Sequence, residues 1–138
     1  NAIIEFFQKR GRAEDLVVYS CTSGYPVAFE DICLREITRL KEKFDGIVKG
    51  IGFSGHHLGI AADVAAMTLG ARWVERHFTL DRTWKGTDHA ASLEPDGMRR
   101  LARDLRSVSL ALRTKDREIL EVERVQREKL KYAAGDSE

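Results

Sequence analysis

Lys49 to Ser92 reads KGIGFSGHHLGIAADVAAMTLGARWVERHFTLDRTWKGTDHAAS and holds all four histidines of the chain. Ile47, Val48, Ile51 and Phe53 form a short β-rich run, which predicts a strand. Ser54-Gly55-His56-His57 follows where that run must stop. The small residues from Ala61 to Leu69 predict a helix, and Gly70 stands where a glycine commonly closes one. Trp73-Val74-Glu75-Arg76-His77-Phe78 then resumes an extended pattern. Strand, helix and strand in so short a span predict a parallel crossover, because the helix returns the chain to the same end of the sheet.

That geometry decides where the polar residues go. In parallel α/β folds the loops leaving the C-terminal ends of the strands gather on one face, and ligands bind there. His56 and His57 leave the first strand on that face, while His77, Asp81, Asp88 and His89 lie at or beyond the end of the second. Separate segments are therefore expected to deliver imidazoles and carboxylates to one rim.

Composition narrows the function classes. The 138 residues amount to one domain, and 43% hydrophobic content is enough for a core. A net charge of +1 with 33% charged residues speaks against a nucleic-acid partner and against disorder. No apolar run approaches the roughly 18 residues of a membrane helix. No charged-then-apolar leader is present, which makes the cytoplasm the default location. Cys21 and Cys33 match no zinc-binding spacing and read as two buried or partly buried free thiols. The chain opens at Asn1 directly in an amphipathic pattern, and we expect it to be part of a longer product.

Upstream, Ile3, Phe6 and Phe7 at helical spacing before Lys9-Arg10-Gly11 predict a short helix packed on a sheet. Leu16 to Cys21 is a continuous β-rich run, predicting a strand buried on both faces. Thr22-Ser23-Gly24-Tyr25-Pro26 is its exit loop, expected on the same face as His56. Asp31 to Phe44 predicts a helix with Ile32, Leu34, Ile37 and Leu40 inward.

Downstream, Pro95 and Asp96 suit a first helical turn. Met98, Leu101, Leu105, Val108 and Leu112 then recur at spacings of three and four as one apolar stripe. Arg99, Arg100, Arg103 and Arg106 read as a solvated face, since Asp104 interrupts them and no aromatic residues interleave. Asp116 to Tyr132 predicts a charged last helix with Ile119, Val122, Val125 and either Lys129 or Leu130 inward. We expect it on the surface or against something outside this chain, with Gly135 to Glu138 disordered.

The fold class is thus α/β, with residues 1–112 as parallel βα units and residues 113–138 as a charged helix and tail. Three such units do not close a barrel, which takes eight strands. The pattern fits either a small open sandwich or the last portion of a larger barrel.

Four short motifs carry a resemblance. Cys21-Thr22 with Tyr25-Pro26 and Phe29-Glu30-Asp31, the glycine-serine turn with His56, Glu75-Arg76-His77-Phe78-Thr79, and Gly86-Thr87-Asp88-His89-Ala90-Ala91-Ser92-Leu93 follow one another in order. Together they resemble the sialic acid synthase family, transferases of carbohydrate biosynthesis that condense phosphoenolpyruvate with N-acetylmannosamine or its 6-phosphate to make nonulosonic acids. The resemblance runs from about Leu16 to Leu112. It implies the last three strands of a TIM-type (β/α)8 barrel, phosphoenolpyruvate and an amino sugar as substrates, and a homo-oligomer or a missing barrel half as protein partner.

The resemblance also implies roles for single residues. It implies a divalent metal, manganese, with His56 as a ligand. Ser20 stands where the family has a second histidine, and Gly55 and His57 replace the aspartate and threonine beside His56, so the implied metal site is weakened or rebuilt. Glu75 and His77 are the implied catalytic pair, and Ser20, Thr22, Tyr25, Ser54, Asp88 and His89 the implied substrate contacts. Arg76 and Lys85 are candidates for neutralising phosphate. Strand alternation, however, sets Arg76 opposite to Glu75 and His77, where it would pair with a helix carboxylate. Two other readings stay open: a noncatalytic fragment that self-assembles or pairs with a missing half, and a barrel aldolase that uses a phosphorylated sugar without phosphoenolpyruvate.

Overall fold

Three parallel strands lie side by side in chain order: β1 (Val17–Cys21), β2 (Gly50–Gly55) and β3 (Trp73–Arg76). The computed structural model describes residues 2–135, with side chains described as far as Lys131. Helix α1 (Ala2–Gln8) precedes β1, α2 (Arg35–Phe44) joins β1 to β2, and α3 (Ala61–Thr68) joins β2 to β3. Beyond β3 come α4 (Pro95–Ala111) and α5 (Glu121–Gly135). No helix among the described residues is long and apolar enough to cross a membrane.

The register sorts the strand residues into rows. Cys21 lies beside Ser54 and Ser54 beside Glu75, while the adjacent row runs Ser20, Phe53, Val74. Alternate strand residues leave opposite faces, so these two rows face opposite ways. Ile51 and Phe53 pack with Ile37, Phe44, Ala62 and Ala66, which places the core between the sheet and its helices. The row of Cys21, Ser54 and Glu75 therefore faces away from the helices. On that same open face Tyr19 and Trp73 lie over the glycines of β2. A Cβ on Gly50 would fall 2.5 Å from the Trp73 ring, and one on Gly52 2.5 Å from Tyr19.

Local chemistry accounts for the ends of the elements. Gly70 takes φ +110°, the left-handed side that a side chain resists, and α3 stops there as expected. Pro95 occupies the first turn of α4, where its missing N–H leaves no bond unmade. After β3 the chain folds back on itself. Phe78 bridges Leu93, with Thr79 N–H donating to the Leu93 carbonyl at 3.0 Å and Leu93 N–H donating to the His77 carbonyl at 2.8 Å. This stitch holds both ends of the loop between them against the end of β3.

Several expectations need correction. The inward residue of α1 is Ile4; Ile3 and Phe6 face solvent, and the Arg10 guanidinium covers Phe6 at 3.5 Å from the ring centroid. β1 is not buried on both faces, because helices cover only one side of the sheet, and Tyr19 and Cys21 are exposed. Cys33 is exposed as well, so neither thiol is the buried group expected. The helix after β1 starts at Arg35, four residues later than expected, because a 3-10 turn at Phe29–Asp31 and a positive φ at Cys33 come first. The last helix starts at Glu121, after Ile119, and its Val122, Val125 and Leu130 are exposed. Of the expected disordered tail, Gly135 closes α5, and residues 136–138 lie outside the described residues.

Phe53 is 2% exposed at the centre of the core. Phe53→Ala is expected to lower unfolding free energy by about 3–5 kcal/mol in urea titration. Leu110→Ala, on the exposed face of α4, should change it by less than about 0.5 kcal/mol.

Candidate functional site

At the C-terminal end of the strands, on the open face, four segments meet. Ser54 at the end of β2 donates its hydroxyl to Glu75 Oε1 of β3 at 2.7 Å. One residue past β2, His56 uses Nδ1 to donate to the Thr22 carbonyl at 2.8 Å. A carbonyl can only accept, so this bond sets the tautomer: Nδ1 carries the proton and Nε2 turns toward Ser54 Oγ, 3.5 Å away. Tyr25 stacks beside His56 with ring centroids 4.5 Å apart and meets His77 at 5.3 Å. The His56 and His77 rings themselves are 5.1 Å apart, edge to face.

The loop between His77 and Leu93 adds the remaining polar groups. Asp88 Oδ2 lies 3.6 Å from His77 Nδ1, an ion-pair distance longer than a hydrogen bond. His89 uses its Nδ1 on the hydroxyl of buried Thr79 at 2.8 Å, and its ring packs edge to face on Trp84. Thr22 spends its hydroxyl on the Asp31 carbonyl, so its contribution to the rim is the backbone oxygen that fixes His56. Asp81 turns toward Thr83. The Thr83 hydroxyl first, and then its backbone N–H, hold the Asp81 carboxyl below the ordinary carboxylate range.

Two residues expected at this rim are elsewhere. Ser20 belongs to the row of Phe53 and Val74, buried on the helix side, because its neighbour Cys21 takes the place beside Ser54. Arg76 also points to the helix side, and it pairs with a helix carboxylate instead of being free for phosphate. Its Nη1 bonds Asp63 Oδ2 of α3 and the Gly59 carbonyl, and its Nη2 bonds the His57 carbonyl at 2.7 Å and the Ala91 carbonyl at 3.3 Å. His57, completely buried, lies with Nε2 3.4 Å from Asp63 and 3.3 Å from Arg76. Sequence reasoning anticipated a carboxylate for Arg76 without naming it. Asp63 was findable as the single acidic residue of α3, whereas His57 as its companion had no signal beyond its divergence from His56.

The donors for a divalent cation are few. His56 offers Nε2, Ser20 is on the other face, and among the described residues no three His, Cys, Asp or Glu side chains converge as a metal site. The residues present do not fit a manganese centre, which takes several oxygen or nitrogen ligands at once.

The site defines a class: successive parallel βα units that carry a serine, a carboxylate and two histidines to the strand ends. Residues 1–117 match the model of the NeuB family, and the chain belongs to that family. It is 49% identical over 110 residues to N-acetylneuraminate-9-phosphate synthase of Homo sapiens, covering 80% of this chain and 30% of that protein. It is 41% identical over 110 residues to pseudaminic acid synthase of Campylobacter jejuni, again covering 80% of this chain and 31% of that protein. Among solved structures, it resembles the N-acetylneuraminic acid (sialic acid) synthetase of Leptospira borgpetersenii at a TM-score of 0.75 and 28% identity, covering 97% of this chain and 44% of that one. The chain therefore spans about a third of the length of the curated relatives it matches.

Thr83→Val removes the hydroxyl that bonds Asp81, and the Asp81 titration followed by carboxyl NMR is expected to move up toward the ordinary value. Because the folded value lies below the unfolded one, the contribution of Asp81 to stability is present above the unfolded value. It is lost as pH falls through the folded one.

Proposed function

We propose that this chain supplies the last three βα units of a (β/α)8 barrel whose activity is nonulosonic acid synthesis from phosphoenolpyruvate and N-acetylmannosamine or its 6-phosphate. The observation that carries this reading is the convergence of Ser54, His56, Glu75 and His77 at the strand ends, on the one face that the helices leave open. Among the described residues β1 and β3 each pair on one side only, which supports a sheet continued by further strands. The synthase names of the relatives support the chemistry.

In the proposed reaction C3 of phosphoenolpyruvate bonds to the aldehyde carbon of the open-chain sugar, and the aldehyde oxygen takes up a proton. Water adds at C2 and gives up one proton, and the C2–O bond to phosphate then breaks as the remaining C2 hydroxyl gives its proton to the departing phosphate, leaving a 2-keto acid and hydrogen phosphate. His77 stands as the acid for the aldehyde oxygen, with Asp88 orienting its ring. Glu75, which already accepts the Ser54 hydroxyl, stands as the base for the water. Tyr25 shields both imidazoles on one side and offers a flat surface to the sugar. Ser54, His89 and Lys85 remain as contacts for hydroxyl and phosphate groups, and the Thr22 carbonyl acts by keeping His56 Nε2 facing the pocket.

The whole protein is expected to release inorganic phosphate only when phosphoenolpyruvate and the amino sugar are supplied together. Glu75→Gln should lower kcat by about 10²–10⁴-fold. Sugar cleavage or condensation without phosphoenolpyruvate would replace this reading with an aldolase. No turnover by the whole protein, with a size-exclusion mass at twice the chain mass, would favour a noncatalytic self-associating fragment.

A further inference from the structure

Behind the rim, on the helix side of the sheet, Arg76 is a hub. Its side chain is 1% exposed, and both Asp63 and His57 side chains are 0% exposed. One guanidinium reaches four groups in three segments: the carbonyls of His57 and Gly59 after β2, the Asp63 carboxylate of α3, and the Ala91 carbonyl at the end of the loop that follows β3. Two of those contacts adjoin rim residues. The His57 carbonyl is one peptide beyond His56, and Ala91 closes the 3-10 turn that begins at His89 and is preceded by Asp88.

The hub is also unusual in what it leaves unmade. Among the described residues, buried Arg76 Nε, Asp63 Oδ1 and His57 Nδ1 find no hydrogen-bond partner. Buried polar atoms are normally paired, and each exception asks for a reason. Fold support alone could come from apolar side chains of similar volume, which often serve as well as a buried ion pair. What apolar side chains lack is the planar fork of donors that fixes several carbonyls at once.

We infer that Arg76, neutralised by Asp63, is a positioning residue that sets the spacing of the two rim loops and with it the orientation of His56 and His77. The Val27 N–H holds the His56 carbonyl from one side at 3.0 Å, and Arg76 holds the His57 carbonyl from the other. Between these two anchors the His56 ring keeps its bond to Thr22. Glu75 and His77 flank Arg76 in sequence, so the same guanidinium anchors the strand end that presents both.

This inference rests on the proposed site, and two readouts separate their fates. Arg76→Lys keeps the charge opposite Asp63 and loses the fork. Arg76→Met with Asp63→Leu removes both charges together, so that neither is left buried alone. In long-range 1H–15N spectra of the histidine rings, the unsubstituted chain should show His56 as a single Nδ1–H tautomer. Both variants should unfold cooperatively and show His56 averaged between tautomers. In the whole protein they should lower kcat about tenfold to a hundredfold, the cost of a misplaced reacting group, with KM for phosphoenolpyruvate within twofold. A folded Arg76→Lys variant that keeps the single His56 tautomer and full kcat would overturn the inference. The tautomer result stands even if the whole protein proves to catalyse a different reaction.

Discussion

Strand alternation governs this molecule. Successive residues leave opposite faces of a strand, so Glu75, Arg76 and His77 cannot serve one surface. Glu75 receives the Ser54 hydroxyl on the open face, and Arg76 enters the helix layer to meet Asp63. The same alternation carries on just past the end of β2, where His56 turns to the rim and His57 turns to the helix side. Two adjacent histidines thus have different surroundings, and the difference between them is one position in the chain.

The two faces differ in physical character. On the helix side Phe53, Ile37 and Ala66 exclude water, and the Arg76–Asp63 pair survives there because the two charges face each other and the guanidinium also donates to nearby carbonyls. Other ion pairs are exposed, such as Arg99 and Arg100 with Asp96, or Lys115 with Glu123, and such pairs add little to stability. A 440 Å³ cavity lies at the opposite end of the strands, among Lys41, Lys49, Arg72 and Gly70. Helix C-termini gather at that end, and cations there complement the carbonyl ends of α2 and α3. The proposed site lies at the other end.

Much of this was legible in the sequence. The parallel βα order followed from β-rich runs separated by a small-residue helix with a glycine stop, because those signals are local. The burial of β1 was not, since whether a continuous apolar run is covered on both faces depends on what packs beyond it, and only one face has helices. A motif position points Ser20 to the rim, whereas register pairs it with Phe53. The Thr79–His89 bond was invisible because it spans a loop with no periodicity. The Arg76 hub was half visible: alternation gave its direction, but its partners come from three segments whose meeting is a tertiary fact.

The division of the two histidines between faces can be read directly from ring-proton NOEs in the folded chain. Tyr25 is predicted to show cross-peaks to both His56 and His77, and His57 to show them to Phe53. Cross-peaks from Tyr25 to His57, with none to His56, would mean that the turn after β2 presents the other imidazole to the rim, which contradicts a site built on His56.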